Sequence, residues 1–173
     1  MAHSRTGAIS WYSPDPRAII PFRAFVPSRS LRQTLRKNIY RITINSAFEK
    51  VIRSCSEREE TWISNDMIRA YTELHTKGFA HSVEAWCDAQ LVGGLYGVAL
   101  GGAFFGESMF SRQPDSSKVA FVHLVERLKA RRFLLLDTQF INDHVRQFGA
   151  VEIPRSRYLA LLSEALRANT SFL

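Results

Sequence analysis

The sequence predicts a mixed α/β (α+β) fold in which one sheet is flanked by helices. Segments of helical period alternate with segments of strand period, and the middle of the chain holds three β-rich runs in succession. A run of consecutive leucines near residue 135 is typical of a strand buried on both faces. The 173 residues fit one domain, which at this size buries roughly two thirds of its unfolded surface.

The N-terminal part of the chain predicts an arm followed by short helices. Residues 1–27 are rich in Pro, Ser and Arg, which favours an extended arm, and residues 28–173 predict a single domain. Polar residues that can cap a helix then mark the starts of three helices. One strand lies between the first and the second of these helices. In order these are a helix from Ser28 or Ser30, a strand at residues 40–44, a helix from Asn45 and a helix from Ser64 or Asn65 to Gly78.

The middle of the chain predicts a three-stranded meander. The runs AHSVEAW and QLVGGLYGVAL are separated by a short turn, and GGAFFGES follows as a third strand. Glycine inside a strand marks a bulge or a close approach of another backbone or a ligand. The glycines of this region are Gly93, Gly94, Gly97, Gly101 and Gly102.

The C-terminal third predicts alternating helices and strands. A helix capped by Ser116 or Ser117 precedes the buried strand in RRFLLLDTQF. Asn142 caps a short helix, AVEIP is a strand, and RSRYLALLSEALRAN is the closing helix.

Composition points to a polyanionic partner and a reducing compartment. The chain carries 23 Lys and Arg against 16 Asp and Glu, a net charge of +7 that suits nucleic acid. Cys55 and Cys87 have no spacing typical of a disulfide framework or a zinc site. With no signal-peptide pattern and no apolar run long enough to span a bilayer, we expect a soluble cytoplasmic protein.

Two places in the sequence carry carboxylates in apolar surroundings. Glu107 lies within GAFFGESMFS, where it either faces water from a strand or holds a ligand inside an apolar site. In LLLDTQFINDH, a period of two places Asp137 and Gln139 on one face at the end of a strand, where ligands commonly bind. The alternative for Asp137 is a structural acceptor for loop N–H groups.

A basic helix and one tryptophan are candidates for RNA contact. Along residues 28–38, basic side chains recur at helical spacing and would line up along a phosphate backbone, or form an ordinary solvated face. They are Arg29, Arg32, Arg36 and Lys37. Trp62, in a polar loop, either stacks on a base or packs in the core. No dinucleotide fingerprint, P-loop, Ser-His-Asp order or metal spacing is present in the sequence.

Several long motifs together resemble the leucyl/phenylalanyl-tRNA-protein transferase family. They span Trp11 to Tyr158 and occur in the family's order. The motifs are WYSPDPRAIIPF, EETWIS, AHSVEAW, LVGGLYGVALGGAFFGESMFS, SSKVAF, LLLDTQFINDH and GAVEIPRSRY.

The resemblance implies both a fold and a reaction. It implies a sheet of the GCN5-related acyltransferase type, and transfer of Leu, Phe or Met from aminoacyl-tRNA to the N-terminal Arg or Lys of proteins. Such transfer tags proteins for degradation through the N-degron pathway. It implies no cofactor, neither metal nor ATP, because the aminoacyl ester is already activated.

The resemblance also implies roles for individual residues. Asp137 and Gln139 match the catalytic Asp-x-Gln, and Glu107 would hold the α-amino group of the aminoacyl moiety. The apolar pocket for the transferred side chain would be formed by Leu95, Phe104, Met109 and Phe121. Trp62 would stack near the terminal adenosine, and the basic helix would contact the acceptor arm.

Two departures from the family pattern affect these expectations. Family members of usual length begin with a small N-terminal domain, and we expect this chain to be a short form without it. Leu95 replaces a residue that is often Met, and Phe121 replaces a smaller Leu, which would narrow the pocket. Two alternatives stay open: a tRNA-binding remnant without activity, and an acyl-CoA-dependent N-acyltransferase, although GESMFSRQPDSSK lacks the usual pyrophosphate loop.

Overall fold

A computed structural model describes residues 12–57 and 61–173 of the chain. Within these residues the sheet has seven strands: β1 Arg17–Ile19, β2 Arg41–Ile44, β3 Ala80–Cys87, β4 Gln90–Leu100, β5 Ala103–Ser111, β6 Leu135–Gln139 and β7 Val151–Ile153. The helices are α1 Arg29–Lys37, α2 Phe48–Ser56, α3 Asn65–Thr76, α4 Ser116–Ala130, α5 Asp143–Arg146 and α6 Arg155–Arg167. The predicted mixed sheet flanked by helices is confirmed.

The sheet is antiparallel except at its centre. Its strand order is β2-β3-β4-β5-β6-β1-β7, so the predicted meander of β3, β4 and β5 occupies consecutive places. The chain then crosses over through α4 and returns as β6, which pairs parallel to β5. Meander, helix and parallel strand follow one another in the order that the family resemblance implies.

The sheet separates the two larger of three buried clusters among the described residues. Val83 and Leu95 pack with α1 and α4 on one face, and Tyr96 packs with α2 and α3 on the other. The neighbours Leu95 and Tyr96 thus serve opposite faces, as the period of two along a strand requires. Among the described residues, no helix is both long and apolar enough to cross a bilayer.

The N-terminal segment is part of the sheet. Arg17–Ile19 lies between β6 and β7 and pairs antiparallel with both. Ala18 and Ile20 are buried there, so hydrogen bonding and burial hold this portion against the sheet. The extended conformation is as expected, but β1 does not stand apart from the rest as an arm. Residues 1–11 of the predicted arm lie outside the described residues.

Two helix caps differ from the sequence expectation. Asn45 has a φ of +56° and uses its side chain to accept from the backbone N–H of Ser82, so it does not cap α2. The buried Glu84 carboxylate instead accepts from the N–H groups of Ser46 and Ala47, just before α2. A partner from a distant strand has replaced the local cap, which the local sequence does not reveal.

The start of α4 is the second case. Asp115 is the N-cap with a φ of +61°, and its side chain accepts no hydrogen bond from the N–H groups of the first turn. Ser116, one of the two predicted caps, is already helical and its hydroxyl donates to Val92 O at 2.8 Å. The other predicted cap, Ser117, is also inside the helix. Ser28, Ser64 and Asn142 cap α1, α3 and α5 as predicted.

Strand β5 carries one residue more than β4 where the two pair, and that residue is Glu107. The pairs on either side of it are Tyr96 with Ser108 and Gly97 with Gly106. An extra residue shifts the alternation of side chains by one position. As a result Phe104 and Met109, five positions apart, both join the cluster on the α4 face.

The bulge also requires a glycine opposite it. A Cβ on Gly97 would lie 2.3 Å from Phe105 O and 2.5 Å from Phe104 Cε1. The Phe104 ring is fully buried over this glycine and stacks on Phe172 at 5.4 Å, so neither neighbour can move away.

We therefore expect Gly97→Ala to lower the free energy of unfolding by about 1–3 kcal/mol, the usual cost of overpacking. Gly106→Ala is the matched control, because its Cβ would meet only Asp137 O at 3.5 Å. Urea unfolding of both variants measures the difference. Equal stability of the two variants would contradict the proposed steric role of Gly97.

Candidate active site

A cavity of about 680 Å³ opens where β5 and β6 diverge. Its walls come from β4, β5, the first half of α4, the end of β6 and α5. Of the predicted site residues it brings together Trp62, Leu95, Glu107, Met109, Phe121 and Gln139. A mostly apolar cavity with a few polar groups is typical of a small-ligand site.

The polar part of the cavity contains Glu107. The bulge places this residue outside the regular pairing of β5 with β4, and its carboxylate lines the cavity. Burial raises the pKa of Glu107 to about 7, a hydrogen bond from Tyr71 works against that rise, and the charge of Asp137 adds to it. A carboxylate of this kind can exchange protons with an amine near neutral pH.

Asp137 lies behind the cavity. Its side chain is 0% exposed, and it is not among the residues that line the cavity. Arg17 donates from Nε at 3.1 Å to Oδ1 and from Nη2 at 2.8 Å to Oδ2. The Tyr158 hydroxyl donates to Oδ2 at 2.6 Å, and burial together with this contact raises the Tyr158 pKa.

The fourth donor to Asp137 is the backbone of Gln139, whose N–H lies 2.8 Å from Oδ1. Gln139 has a φ of +61°, a left-handed conformation that costs a non-glycine residue about 1–3 kcal/mol unless its surroundings hold it. Its Nε2 donates to Gly106 O at 2.9 Å across the opening between β6 and β5. The carboxylate therefore fixes Gln139, and Gln139 alone of this pair reaches the cavity.

The apolar part of the cavity is formed by Leu95, Met109, Phe121, Leu124 and Val145. Phe121 is held on one side by Phe148, with ring centroids 4.4 Å apart. Leu95 and Met109 face each other across β4 and β5.

Phe104 does not line the cavity, which differs from the expectation for it. It lies farther along β5, beyond the bulge, where Phe172 covers its ring. Its role in the structure is to fill the core over Gly97.

The residues expected to contact RNA lie in two places. Trp62 is half-buried against the α2 and α3 cluster and lines the cavity. Arg29, Arg32 and Arg36 are exposed along one side of α1, and Lys37 is exposed at its end. These side chains are separate from the cavity lining.

Sequence reasoning missed several residues of the site, and four of them make polar contacts that shape it: Arg17, Tyr71, Tyr158 and His144. Arg17 and Tyr158 hold Asp137, Tyr71 bonds Glu107, and His144 Nε2 contacts Met109 Sδ in the cavity wall. Three of these four lie in the family motifs WYSPDPR, LLLDTQFINDH and GAVEIPRSRY. Their contacts span up to 120 residues along the chain, so spacing alone could not find them.

Comparisons with known proteins agree on one family. The family described as "Leucyl/phenylalanyl-tRNA protein transferase" matches residues 19–163. The chain is 55% identical over 167 residues to a leucyl/phenylalanyl-tRNA–protein transferase of Herpetosiphon aurantiacus, covering 96% of this chain and 87% of that protein. It is 54% identical to the protein of the same name from Rubrobacter xylanophilus, with the same coverage.

One solved structure is also similar to the chain. It is described as "The structure of L-PGS from Bacillus licheniformis", with a TM-score of 0.47 and 11% identity. The match covers 88% of this chain and 65% of that one.

The contacts of Asp137 generate a stability prediction. Arg17→Met removes the cation facing a fully buried carboxylate, so we expect a loss of about 3 kcal/mol in the free energy of unfolding. Arg53→Met removes the arginine of an exposed pair with Glu49, and we expect a change within about 0.5 kcal/mol. Urea unfolding measures the free energy of unfolding of both variants. Similar losses in the two would show that the buried pair of Arg17 and Asp137 stabilises the fold no more than an exposed pair does.

The raised pKa of Glu107 generates a pH prediction. The glutamate ionises near pH 4.5 when unfolded and near 7 when folded, so its contribution to stability is full below 4.5 and is lost as the pH rises through 7. Glu107→Gln cannot ionise, and we expect it to match the wild type in Tm at pH 4 and to exceed it at pH 8.

The exposed Glu126→Gln is the control and should show no such gain with pH. Calorimetry at a series of pH values makes this comparison. A Tm of Glu107→Gln below that of the wild type at pH 8 would mean that the folded protein requires the charge.

Proposed function

The chain belongs to the leucyl/phenylalanyl-tRNA protein transferase family, and we propose that it moves an amino acid from tRNA to proteins at the cavity between β5 and β6. It is an aminoacyltransferase that acts on protein N-termini. The observation that carries the assignment of this site is one cavity with an apolar wall on one side and Glu107 and Gln139 on the other. We further propose that the acceptors begin with Arg or Lys and that the transfer takes place in the cytoplasm.

The reaction needs a neutral amine next to an activated ester. The lone pair of the acceptor α-amine attacks the ester carbonyl carbon, and the bond between that carbon and the ribose oxygen breaks. The ribose oxygen leaves with the electron pair and takes up a proton, and the amine loses one proton as the amide forms. The protein therefore has to position two amines and to manage one proton.

We assign Gln139 to the acceptor amine. Its Nε2 donates to Gly106 O, so its side-chain oxygen is the atom suited to accept a hydrogen bond from the incoming amine. Asp137 is a positioning residue in this scheme, because its carboxylate holds the Gln139 backbone and lies behind the cavity. A direct proton relay through Asp137 is less suited to a carboxylate that already accepts from Arg17 and Tyr158.

We assign Glu107 to the α-amino group of the donor amino acid. Its carboxylate is inside the cavity and bonded to Tyr71, so it can accept hydrogen bonds from an ammonium group. A pKa of about 7 also lets it take up a proton during the reaction. The transferred side chain then enters the apolar part, where the thioether of Met109 adapts to Leu, Met or Phe.

The adenosine and the tRNA body complete the proposal. Trp62 presents an aromatic surface in the cavity for the terminal adenine. The exposed arginines Arg29, Arg32 and Arg36, with Lys37 at the end of α1, suit the phosphates of the acceptor arm.

The central test measures transfer of labelled leucine from leucyl-tRNA to a peptide that begins with Arg. We expect Gln139→Ala to lower kcat about a hundredfold, the scale of a positioned hydrogen-bonding group in proton transfer. Gln90→Ala, at the exposed start of β4 and outside the cavity lining, is the matched control. Arg32→Gln should instead raise the KM for tRNA and reduce its salt slope by about one.

The same assay separates the alternatives. RNase treatment should abolish labelling, whereas labelling from an acyl-CoA donor would indicate the N-acyltransferase. Binding of leucyl-tRNA without any transfer would indicate a remnant.

The apolar wall generates a specificity prediction. Phe121 is 4% exposed and occupies space next to the cavity, so Phe121→Leu enlarges the pocket. We expect the ratio of kcat/KM for phenylalanine over leucine to rise about tenfold, the scale on which apolar pockets discriminate. Val122→Ala, on a buried side of α4 outside the cavity lining, is the control for general loosening of the helix. An unchanged ratio in Phe121→Leu would remove Phe121 from the pocket.

A further inference from the structure

Ser117 has a hydroxyl that the fold leaves unused. It lies in the first turn of α4, is 4% exposed and lines the cavity. Within residues 12–57 and 61–173 its Oγ makes no hydrogen bond, whereas its neighbour Ser116 donates to Val92 O at 2.8 Å. The hydroxyl faces the cavity without a partner among the described residues, so it is free to hydrogen-bond to a ligand atom bound there.

The backbone around Ser117 is also free to donate. The N–H groups of Ser117 and Lys118 make no backbone hydrogen bond among the described residues, and Asp115 does not cap them. The Asp115 carboxylate turns away to Thr34 Oγ1 at 3.1 Å and Lys118 Nζ at 3.0 Å, which also balances its charge. The N-terminus of α4 therefore offers N–H donors and a hydroxyl, a combination that favours an anion.

Helix α1 lies directly against this end of α4. Besides the contact of Thr34 with Asp115, the Tyr40 hydroxyl donates to Pro114 O at 2.8 Å. The exposed arginines of α1 therefore lie on a helix that contacts this end of α4 through Thr34. A polyanionic strand that follows these arginines would reach the cavity mouth at Ser117.

We propose that the N-terminus of α4, with the Ser117 hydroxyl, binds the phosphate on the 5′ side of the terminal adenosine of the donor tRNA. This inference rests on the proposed function, and it adds the residue that links the basic face of α1 to the cavity. A phosphate is favoured over the ester carbonyl because we assign the reacting groups to Glu107 and Gln139, whereas the start of α4 contacts Ser111, whose Oγ lies 2.9 Å from Ser116 Oγ. Arg112, at the same rim, is engaged with Glu57 at 2.7 Å.

The test uses two donors that differ only in this phosphate: 3′-O-leucyl-adenosine and 3′-O-leucyl-adenosine 5′-phosphate. In the full chain, Ser117→Ala should raise the KM for the phosphorylated donor about tenfold, as expected for one lost hydrogen bond to a charged group. The KM for the unphosphorylated donor and kcat with both donors should not change. Adenosine 5′-phosphate and adenosine, compared as inhibitors of transfer from leucyl-tRNA, should show the same selective loss.

Ser116→Ala is the matched control, with the same change one residue away. It removes hydrogen bonds to Val92 O and Gln113 O, so its Tm should fall while the preference for the phosphorylated ligand stays intact. Ser117→Ala should keep its Tm, because the hydroxyl has no partner to lose.

Three results would overturn the proposal: an equal loss of kcat with both donors, which would place the hydroxyl at the ester; an unchanged KM with both; or a lowered Tm in Ser117→Ala. If the wild type fails to transfer leucine even from leucyl-tRNA, the proposed function itself fails. The comparison of adenosine 5′-phosphate with adenosine by direct binding still decides the role of Ser117 in that case.

Discussion

The buried carboxylate of Asp137 is the interaction on which the arrangement of the site depends. Four donors reach it, from Arg17 in β1, Tyr158 in α6 and the backbone of Gln139. A fully buried charge is stable only when such partners surround it, so the contacts tie three separate parts of the chain together. They also explain why β1 is inserted between β6 and β7: the strand carries the cation that the carboxylate requires.

A second constraint acts from the other side of the cavity. The bulge at Glu107 lets β5 contribute Phe104 to the core and Met109 to the cavity wall from the same face. It also places the Glu107 carboxylate in the cavity, where burial raises its pKa. Gln139 joins the two constraints, because its backbone is held by Asp137 and its side chain donates to Gly106, next to the bulge. The reacting groups are therefore positioned by strand ends whose geometry the core determines.

Periodic patterns predicted the secondary structure well, and capping was the weaker part. Strands β3 to β6 and helices α1 to α6 lie where alternation and helical spacing indicated them, because those patterns reflect which side chains are buried. The predicted caps of α2 and α4 were wrong because Glu84 and Asp115 make contacts with residues distant in sequence. A cap prediction uses only neighbouring residues, so it fails wherever a distant partner offers the better hydrogen bond.

The sequence by itself determined the order of the elements, the family and six residues of the cavity lining, since these depend on local pattern and on motifs such as GESMFS. Only the tertiary structure decided which of these residues face the cavity. Asp137 lies behind the cavity and Phe104 lies in the core. Tyr71 in α3 contacts Glu107, and Ser117 in α4 lines the cavity. The physical reason is that a bulge and a left-handed residue change where side chains point without leaving a periodic signal, and buried charges select partners that are distant along the chain.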